Sequence, residues 1–351
     1  MPVSLPRPAS RHELSLLRFP DRRTDWVVLL AASLVTPVDG DELVGRLEGL
    51  HRAVPLVGAT LNGETWLPGE PGSPVVVDDE PVGDPRLDAP FDLASEAPLR
   101  VVIGMDGRRL ALACHHAAFD GLALVAVMTA LLGGSLPAPV TSAPPGPPGP
   151  RSALLRRLLN PSDRIARSAH PPRRDSYVTE EVEMHGPSIT ARLAQACVDA
   201  AAEHNRVRGA RWRRIGISIA KGGPPGVGNV ASYRRVDLPA GEPVAPLIAA
   251  ALASRDEPTE QTRAGLALAL ARPVVHRFSD SFLISNLGRQ SVPNTARLDF
   301  FPVARGRSAV AFGVVGVAGM SSTVSLRARD LSKADAQSLL AGTVRSFRAD
   351  T

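Results

Sequence analysis

Seven prolines fall between residues 135 and 150. Proline has no backbone N–H and holds φ near −65°, so neither a helix interior nor a central strand can run through such a segment. The segment therefore reads as a linker or surface crossover. Residues 12–134 form the first lobe, 135–175 the Pro- and Arg-rich crossover, and 176–351 the second lobe. A length of 351 residues suits one large two-lobed unit or two domains.

Both lobes mix strands and helices. In the first, Trp26 to Leu34 reads as a buried strand. A helix opens at Asp39, Gly40 and Asp41 and runs to Leu50, with Leu43, Val44, Leu47 and Leu50 on its apolar face. Pro55 to Leu61 reads as a strand turned at Asn62-Gly63 into Thr65 to Leu67. A second strand pair, Pro98 to Ile103 and Arg109 to Cys114, is joined at Asp106-Gly107. Gly121 to Leu132 is almost wholly apolar and predicts a buried helix ended by Gly133-Gly134.

In the crossover, Leu154, Leu155, Leu158 and Leu159 lie among arginines. They predict an amphipathic helix or a docking surface for an anionic partner. The second lobe predicts strands at Tyr177 to Met184, Arg214 to Ala220, Ser281 to Ser285, Arg297 to Phe301, Ala309 to Val317 and Thr323 to Ala328. Helices are predicted at Ile189 to Glu203, Pro243 to Ser254, Glu260 to Ala271 and Leu331 to Phe347. Residues 1–10 predict no regular element.

Hydrophobic residues make up 44 % of the chain but aromatics only 4 %. The core must be built from Leu, Val, Ala and Ile. A net charge of +5 is mild and dispersed. It argues against nucleic acid but suits an acidic or phosphorylated partner. Cys114 and Cys197 lie in apolar stretches without metal-type spacing and read as reduced core thiols. His170, His185, His204 and His276 form no metal-ligand pattern either, so no metal is expected. The glycine-rich run 222–228 lacks the Lys-Ser/Thr of a phosphate loop, and 319–322 lacks the second glycine of a nucleophile elbow. There is no apolar leader at the N-terminus and no apolar run long enough for a bilayer. A cytoplasmic location is expected, with peripheral membrane contact left open.

The chemistry is concentrated in His115-His116-Ala117-Ala118-Phe119-Asp120-Gly121. A strand ends in two histidines and the buried helix begins directly after Asp120. Side chains alternate along a strand, so the two imidazoles face opposite sides and only one can face a given cavity. A neutral imidazole is well matched to taking a proton near neutral pH. Asp120, four residues after His116, can orient that imidazole, pair with an arginine, or cap the helix. Gly121 permits a tight turn and close packing.

His-His-x-x-x-Asp-Gly resembles the motif of the condensation-domain and chloramphenicol-acetyltransferase-like acyltransferase superfamily. Phe91-Asp92-Leu93 with Pro98-Leu99-Arg100, Val227-Gly228-Asn229, and Ser285-Asn286-Leu287-Gly288 are similar to other segments of that family, in the same order, over about residues 12–349. The resemblance implies an α/β (α+β) fold of two similar mixed-sheet lobes in a V, with a central tunnel. It implies transfer of an acyl group from a carrier-protein or coenzyme A thioester to a hydroxyl or amine, in secondary metabolism or lipid biosynthesis. No bound cofactor is implied; the thioester is substrate. His116 would be catalytic, and His115, Asp120 and Gly121 would support it. Asn229, Ser285, Asn286 and Gly288 would line the tunnel. Asp120 would pair with an arginine of the second lobe, with Arg234, Arg235 and Arg289 as candidates.

An acyl- or peptidyl-carrier protein and a small-molecule acceptor would be partners. Only 57 positions separate Gly228 from Ser285; the family it resembles usually carries a longer stretch there, so the resemblance implies a trimmed second lobe. Cyclisation or another reaction on the same fold, or a non-catalytic carrier-binding module, are the alternatives.

Overall fold

A computed structural model describes residues 4–19, 24–78, 80–137, 157–223, 226–253, 277, 279–305 and 309–349. The Pro-rich stretch from 138, Leu154, Leu155, the helix expected at 260–271 and His276 lie outside the described residues. So does much of the segment expected to be trimmed.

In the N-terminal half, β1 (Arg7–Pro8), β3 (Thr60–Asn62) and β4 (Thr65–Leu67) make a small antiparallel sheet. The main sheet holds β2 (Val27–Leu34), β5 (Val75–Val77), β6 (Leu99–Gly104) and β7 (Arg109–His115). Its helices are α1 (Arg11–Leu17), α2 (Gly40–Ala53), α3 (Pro85–Asp88) and α4 (Gly121–Leu131). In the C-terminal half, strands β8 (Ser176–Val182), β9 (Arg214–Lys221), β10 (Ser232–Pro239), β11 (Phe282–Gln290), β13 (Val310–Val317) and β14 (Ser322–Ala328) form one mixed sheet in the order β10-β9-β11-β13-β14-β8. The helices α5 (Ile189–Val207), α6 (Val244–Ala253) and α7 (Lys333–Ala349) belong to this half.

The remaining strand, β12 (Thr295–Phe301), lies within the span expected for the second lobe but joins the other sheet. That sheet runs β12-β2-β7-β6-β5, with β12 antiparallel to β2 and Asp299 opposite Ala31. Where β12 crosses β13 there is no room for a side chain. A Cβ on Gly313 would lie 1.9 Å from the Phe300 carbonyl oxygen. Ser325 Oγ donates to that same oxygen. The two sheets are thus tied by backbone contact as well as by packing.

Physical causes are visible element by element. The segment VVLLAASL of β2 is buried almost throughout, as expected of a strand covered on both faces. In α2, Asp39 caps the N-terminus by accepting the Asp41 N–H, acidic residues open the helix and His51 and Arg52 close it. Leu43, Leu47 and Leu50 face the core, but Val44 is 39 % exposed and lies off the apolar face assigned to it. Pro55 to Leu61 was expected as a strand; Pro55–Gly58 is instead a 3₁₀ turn, with proline at its first position, where its fixed φ is favourable. The loose start expected at residues 1–10 ends in a capping box. Ser10 Oγ accepts the Glu13 N–H while Glu13 accepts the Ser10 N–H, and this starts α1.

Helix α4 is apolar nearly all round because it is buried along most of its length. The N-terminal core gathers Leu30, Leu112, Phe119 and Leu124, and it includes Leu298, Phe300 and Val315 from the C-terminal half. The second core packs α5 and α7 on the larger sheet, with Cys197 and Phe347 buried. Cys114 and Cys197 are both free, buried thiols.

Candidate active site

Strand β7 pairs with β2 through His115, opposite Val27. One residue later the His116 N–H donates to the Trp26 carbonyl at 2.7 Å. Trp26 has φ +52, a conformation that costs a bulky residue about 1–3 kcal/mol. Its ring is stacked on the His116 imidazole at 6.2 Å between centroids and meets Phe19 edge-on at 5.3 Å. Trp26 is therefore held at one end by packing and at the other by the histidine backbone.

The two histidines have separate surroundings. His115 Nδ1 accepts the Ala117 N–H at 3.1 Å, and its ring lies edge-on to Phe91. His116 Nδ1 lies 3.2 Å from the Phe119 carbonyl, and Nε2 lies 2.6 Å from the Tyr233 hydroxyl. A carbonyl only accepts, so Nδ1 carries the proton. Nε2 then presents its lone pair and takes the tyrosine O–H. Burial pushes the His116 pKa down to about 3 and that of His115 down to about 4. Both rings are neutral near pH 7.

The second half supplies the other side of the site. Tyr233 stands on β10, and burial pushes its phenol up to about 12. The Arg305 guanidinium lies over its ring, 4.4 Å from the centroid. Arg305 is fixed by Ser218 and by Asp280, each at 3.1 Å. Asp280 also takes Arg235 at 2.9 Å. Burial works to raise the Asp280 carboxyl, but the Arg305 and Arg235 guanidiniums outweigh it and hold the group below its usual range.

Among the described residues Asp120 takes no arginine, in contrast to the pairing that the resemblance implies. Its Oδ1 accepts the Ala123 N–H at 2.9 Å, capping α4, and its Oδ2 accepts the Val230 N–H at 3.0 Å. Of the candidate arginines, Arg235 bonds Asp237, Asp280 and Ser162, and Arg289 bonds the Met320 carbonyl. Backbone N–H groups suffice because the loop 228–231 wraps the carboxylate. Gly228, at φ +151, makes that path accessible and its carbonyl accepts the Asp120 N–H. Nor does Asp120 orient the His116 ring; the Phe119 carbonyl does. Burial, larger than these hydrogen bonds, raises the Asp120 pKa.

Gly121 opens α4 under Leu287 and Phe300; a Cβ there would come within 2.8 Å of both side chains. Asn229 lies beside the motif itself, its Nδ2 donating to the His116 carbonyl.

No protein-family model matches the chain. No curated protein matches it either. Solved structures do. The first condensation domain of the calcium-dependent antibiotic synthetase, in complex with a substrate analogue, matches with a TM-score of 0.60 at 14 % identity, over 98 % of this chain and 96 % of that one. The chain has the condensation-domain fold. The epimerization domain from the third module of tyrocidine synthetase B is similar at TM-score 0.59 and 10 % identity, over 99 % and 98 % of the two chains. The X-domain from teicoplanin biosynthesis gives 0.56 at 15 %, over 99 % and 96 %.

Within this condensation fold the expected tunnel residues divide between two faces of β11. Leu283 packs near Tyr233, and Ser285, two residues on, shares that face. Asn286 faces the opposite way. Its Nδ2 donates to Thr190 Oγ1 at 3.0 Å and its Oδ1 accepts the Gly288 N–H. Gly288 is exposed at a bulge with φ +71. Asn286 lines a surface cavity of about 490 Å³ at the start of α5, and a second of about 880 Å³ lies further along the same helix. His116 lines neither of these cavities.

Trp26, Tyr233 and Arg305 were not singled out from the sequence. Tyr233 had a usable signal: it is one of two tyrosines in the chain and follows the Gly228-Asn229 segment by a few residues. Among the described residues no cluster of three potential metal ligands occurs, and no helix is long and apolar enough to cross a membrane.

Proposed function

We propose that the protein is an acyltransferase. It moves an acyl group from a thioester, on a carrier-protein phosphopantetheine or on coenzyme A, to a hydroxyl or amine. One observation carries this reading: the lone pair of a neutral, rigidly held imidazole already takes an O–H at 2.6 Å. That is the arrangement needed to draw a proton from an attacking acceptor.

In this reading the acceptor heteroatom attacks the thioester carbonyl and His116 Nε2 is the final acceptor of its proton. Nδ1 remains on the Phe119 carbonyl, which fixes the tautomer and favours the imidazolium as it forms. Burial disfavours that cation, so the reaction depends on negative charge developing beside it on the carbonyl oxygen. The thiolate leaves with the proton. As the resemblance implies, donor and acceptor would enter from opposite sides of the site, and the Arg excess suits an acidic carrier.

The test is incubation with a panel of acyl thioesters and acceptors, read by mass spectrometry. Acylated acceptor is expected, and His116→Ala should lower turnover at least about 100-fold with an unchanged circular dichroism spectrum. No transfer from any donor, or full activity in His116→Ala, would overturn the reading. A second reading has one observation in its favour, since Nε2 holds a hydroxyl of the protein itself. The fold would then serve cyclisation or another proton transfer on a tethered intermediate. Product formed without any thioester donor decides for it.

A further inference from the structure

We infer that Tyr233 is the group that meets the acceptor, and that His116 works on the acceptor only through the tyrosine hydroxyl. The inference rests on the acyl-transfer reading and concerns the path of the proton within it.

Among the described residues, both ring nitrogens of His116 and one face of the ring are already taken. The residue is 4 % exposed. Trp26 is stacked on the ring, the Phe119 carbonyl occupies Nδ1, and Tyr233 occupies Nε2 while meeting the ring edge-on. Tyr233 is the outer member of the pair and is only half-buried.

Nor is Tyr233 built like a side chain that swings aside. It is paired to Ala220 in the sheet, and Leu283 and Ala311 pack near its ring. Arg305 covers one ring face and is itself pinned by Asp280 and Ser218. A cation over the ring also stabilises negative charge on the phenol oxygen as a proton passes through it.

The step balances. A bond forms between the acceptor heteroatom and the thioester carbonyl carbon. The acceptor's proton moves to Tyr233 Oη as the tyrosine proton moves to His116 Nε2. The C–S bond then breaks, and the imidazolium proton returns through Tyr233 to the thiolate. Ester or amide and free thiol are released, with both side chains restored.

Two variants and one chemical probe test this. Tyr233→Phe keeps the ring, its packing and the Arg305 contact. It should lower kcat at least about 100-fold with acceptor KM within about threefold. Tyr233→Ala opens a path to Nε2 and should be equally slow. Activity in Tyr233→Phe within threefold of the parent, or a gain in Tyr233→Ala, would make Tyr233 a packing residue or a plug and overturn the proposal. The probe is diethyl pyrocarbonate, which modifies accessible imidazole nitrogens, mapped by peptide mass spectrometry. His116 should react far more slowly than exposed His185 in the parent and become reactive in Tyr233→Ala. If His116 reacts as fast as His185 in the parent, the proposal fails whatever the activity. If the parent shields His116 but transfers no acyl group from any donor, the acyl-transfer reading fails and the relay falls with it, while the shielding stands.

Discussion

The Asp120 carboxylate accepts the Val230 N–H at 3.0 Å and the Ala123 N–H at 2.9 Å, so one side chain both caps α4 and holds the loop of the opposite half against the His116 segment. Asp120→Ala should cost about 1 kcal/mol for the lost cap and a further 1–3 kcal/mol for the buried Val230 N–H left without a partner. Denaturant unfolding measures the sum. Asp120→Asn can keep the cap through its amide oxygen, but its NH₂ would face the Val230 donor. Its stability should lie between those of the parent and the alanine variant. Full stability in Asp120→Ala would show that this carboxylate does not hold the halves together.

Gly121 sits where α4 begins beneath Leu287 and Phe300. Gly121→Ala gains helix propensity of up to about 1 kcal/mol but must push aside two side chains that a Cβ would approach at 2.8 Å. Overpacking of this kind costs about 1–3 kcal/mol, so a net loss is expected. Thermal unfolding checks it, and a raised midpoint would show that the junction is loosely packed.

These two residues also show what the sequence makes legible. Strand β7, the histidines and α4 follow one another in the chain, and local rules place them: alternation, an N-cap and an all-apolar helix. Asp120's partner is a backbone N–H supplied by Val230, and backbone groups leave no trace in residue identity. The arginine is what the family resemblance implies; the residues themselves leave the helix cap open beside it. The transfer of β12 to the first sheet is equally silent, because Thr295–Phe301 alternates in the same way whichever sheet it joins. Tyr233 reaches the site through the pairing of β10 with β9, and Arg305 from the segment after β12 through Ser218 and Asp280, neither of which a pattern of apolar positions encodes.

Stability should fall as the solution is acidified. His115 and His116 are held neutral by burial, with values lowered to about 4 and about 3, whereas the unfolded chain protonates its histidines near about 6.5. Below that value the unfolded state binds more protons, so stability is full above it and is lost as pH drops toward the folded values. The slope is about 1.4 kcal/mol per pH unit for each histidine. Asp120 acts oppositely. Its raised value adds stability that is complete below the usual carboxylate range and fades as pH rises through the folded value, so it softens the low end of the window. Chemical unfolding of His116→Gln between pH 5 and 6.5 should show a slope smaller by one histidine's share. An unchanged slope would mean that His116 is protonated in the folded protein.

The same lowering bears on rate. An essential imidazole with its value near about 3 gives no acid limb in kcat/KM around pH 6.5. Activity should stay level from pH 7.5 down to the onset of unfolding. A limb with a midpoint near 6.5 would place the base in water, and would count against the enclosed Tyr233–His116 pair.

Arg327 joins the halves behind Trp26. Its guanidinium is buried, donates to the Val27 carbonyl and pairs with Asp175 at 2.6 Å. Arg329 also reaches Asp175, at 3.3 Å, and burial of Asp175 is outweighed by the two arginines, which hold its carboxyl below the usual range. Arg327→Met removes the nearer partner and leaves a buried carboxylate with the more distant one. Breaking a buried pair from one side costs about 3–5 kcal/mol. Adding Asp175→Asn removes the stranded charge, and the double variant should recover part of the loss. Since Val27 adjoins Trp26, the single variant should also loosen the ring stacked on His116, visible as a red shift in tryptophan emission that the double variant retains. A double variant less stable than the sum of the two single losses would show that the pair does not act as a unit, and an unchanged emission spectrum would separate this ion pair from the His116 site.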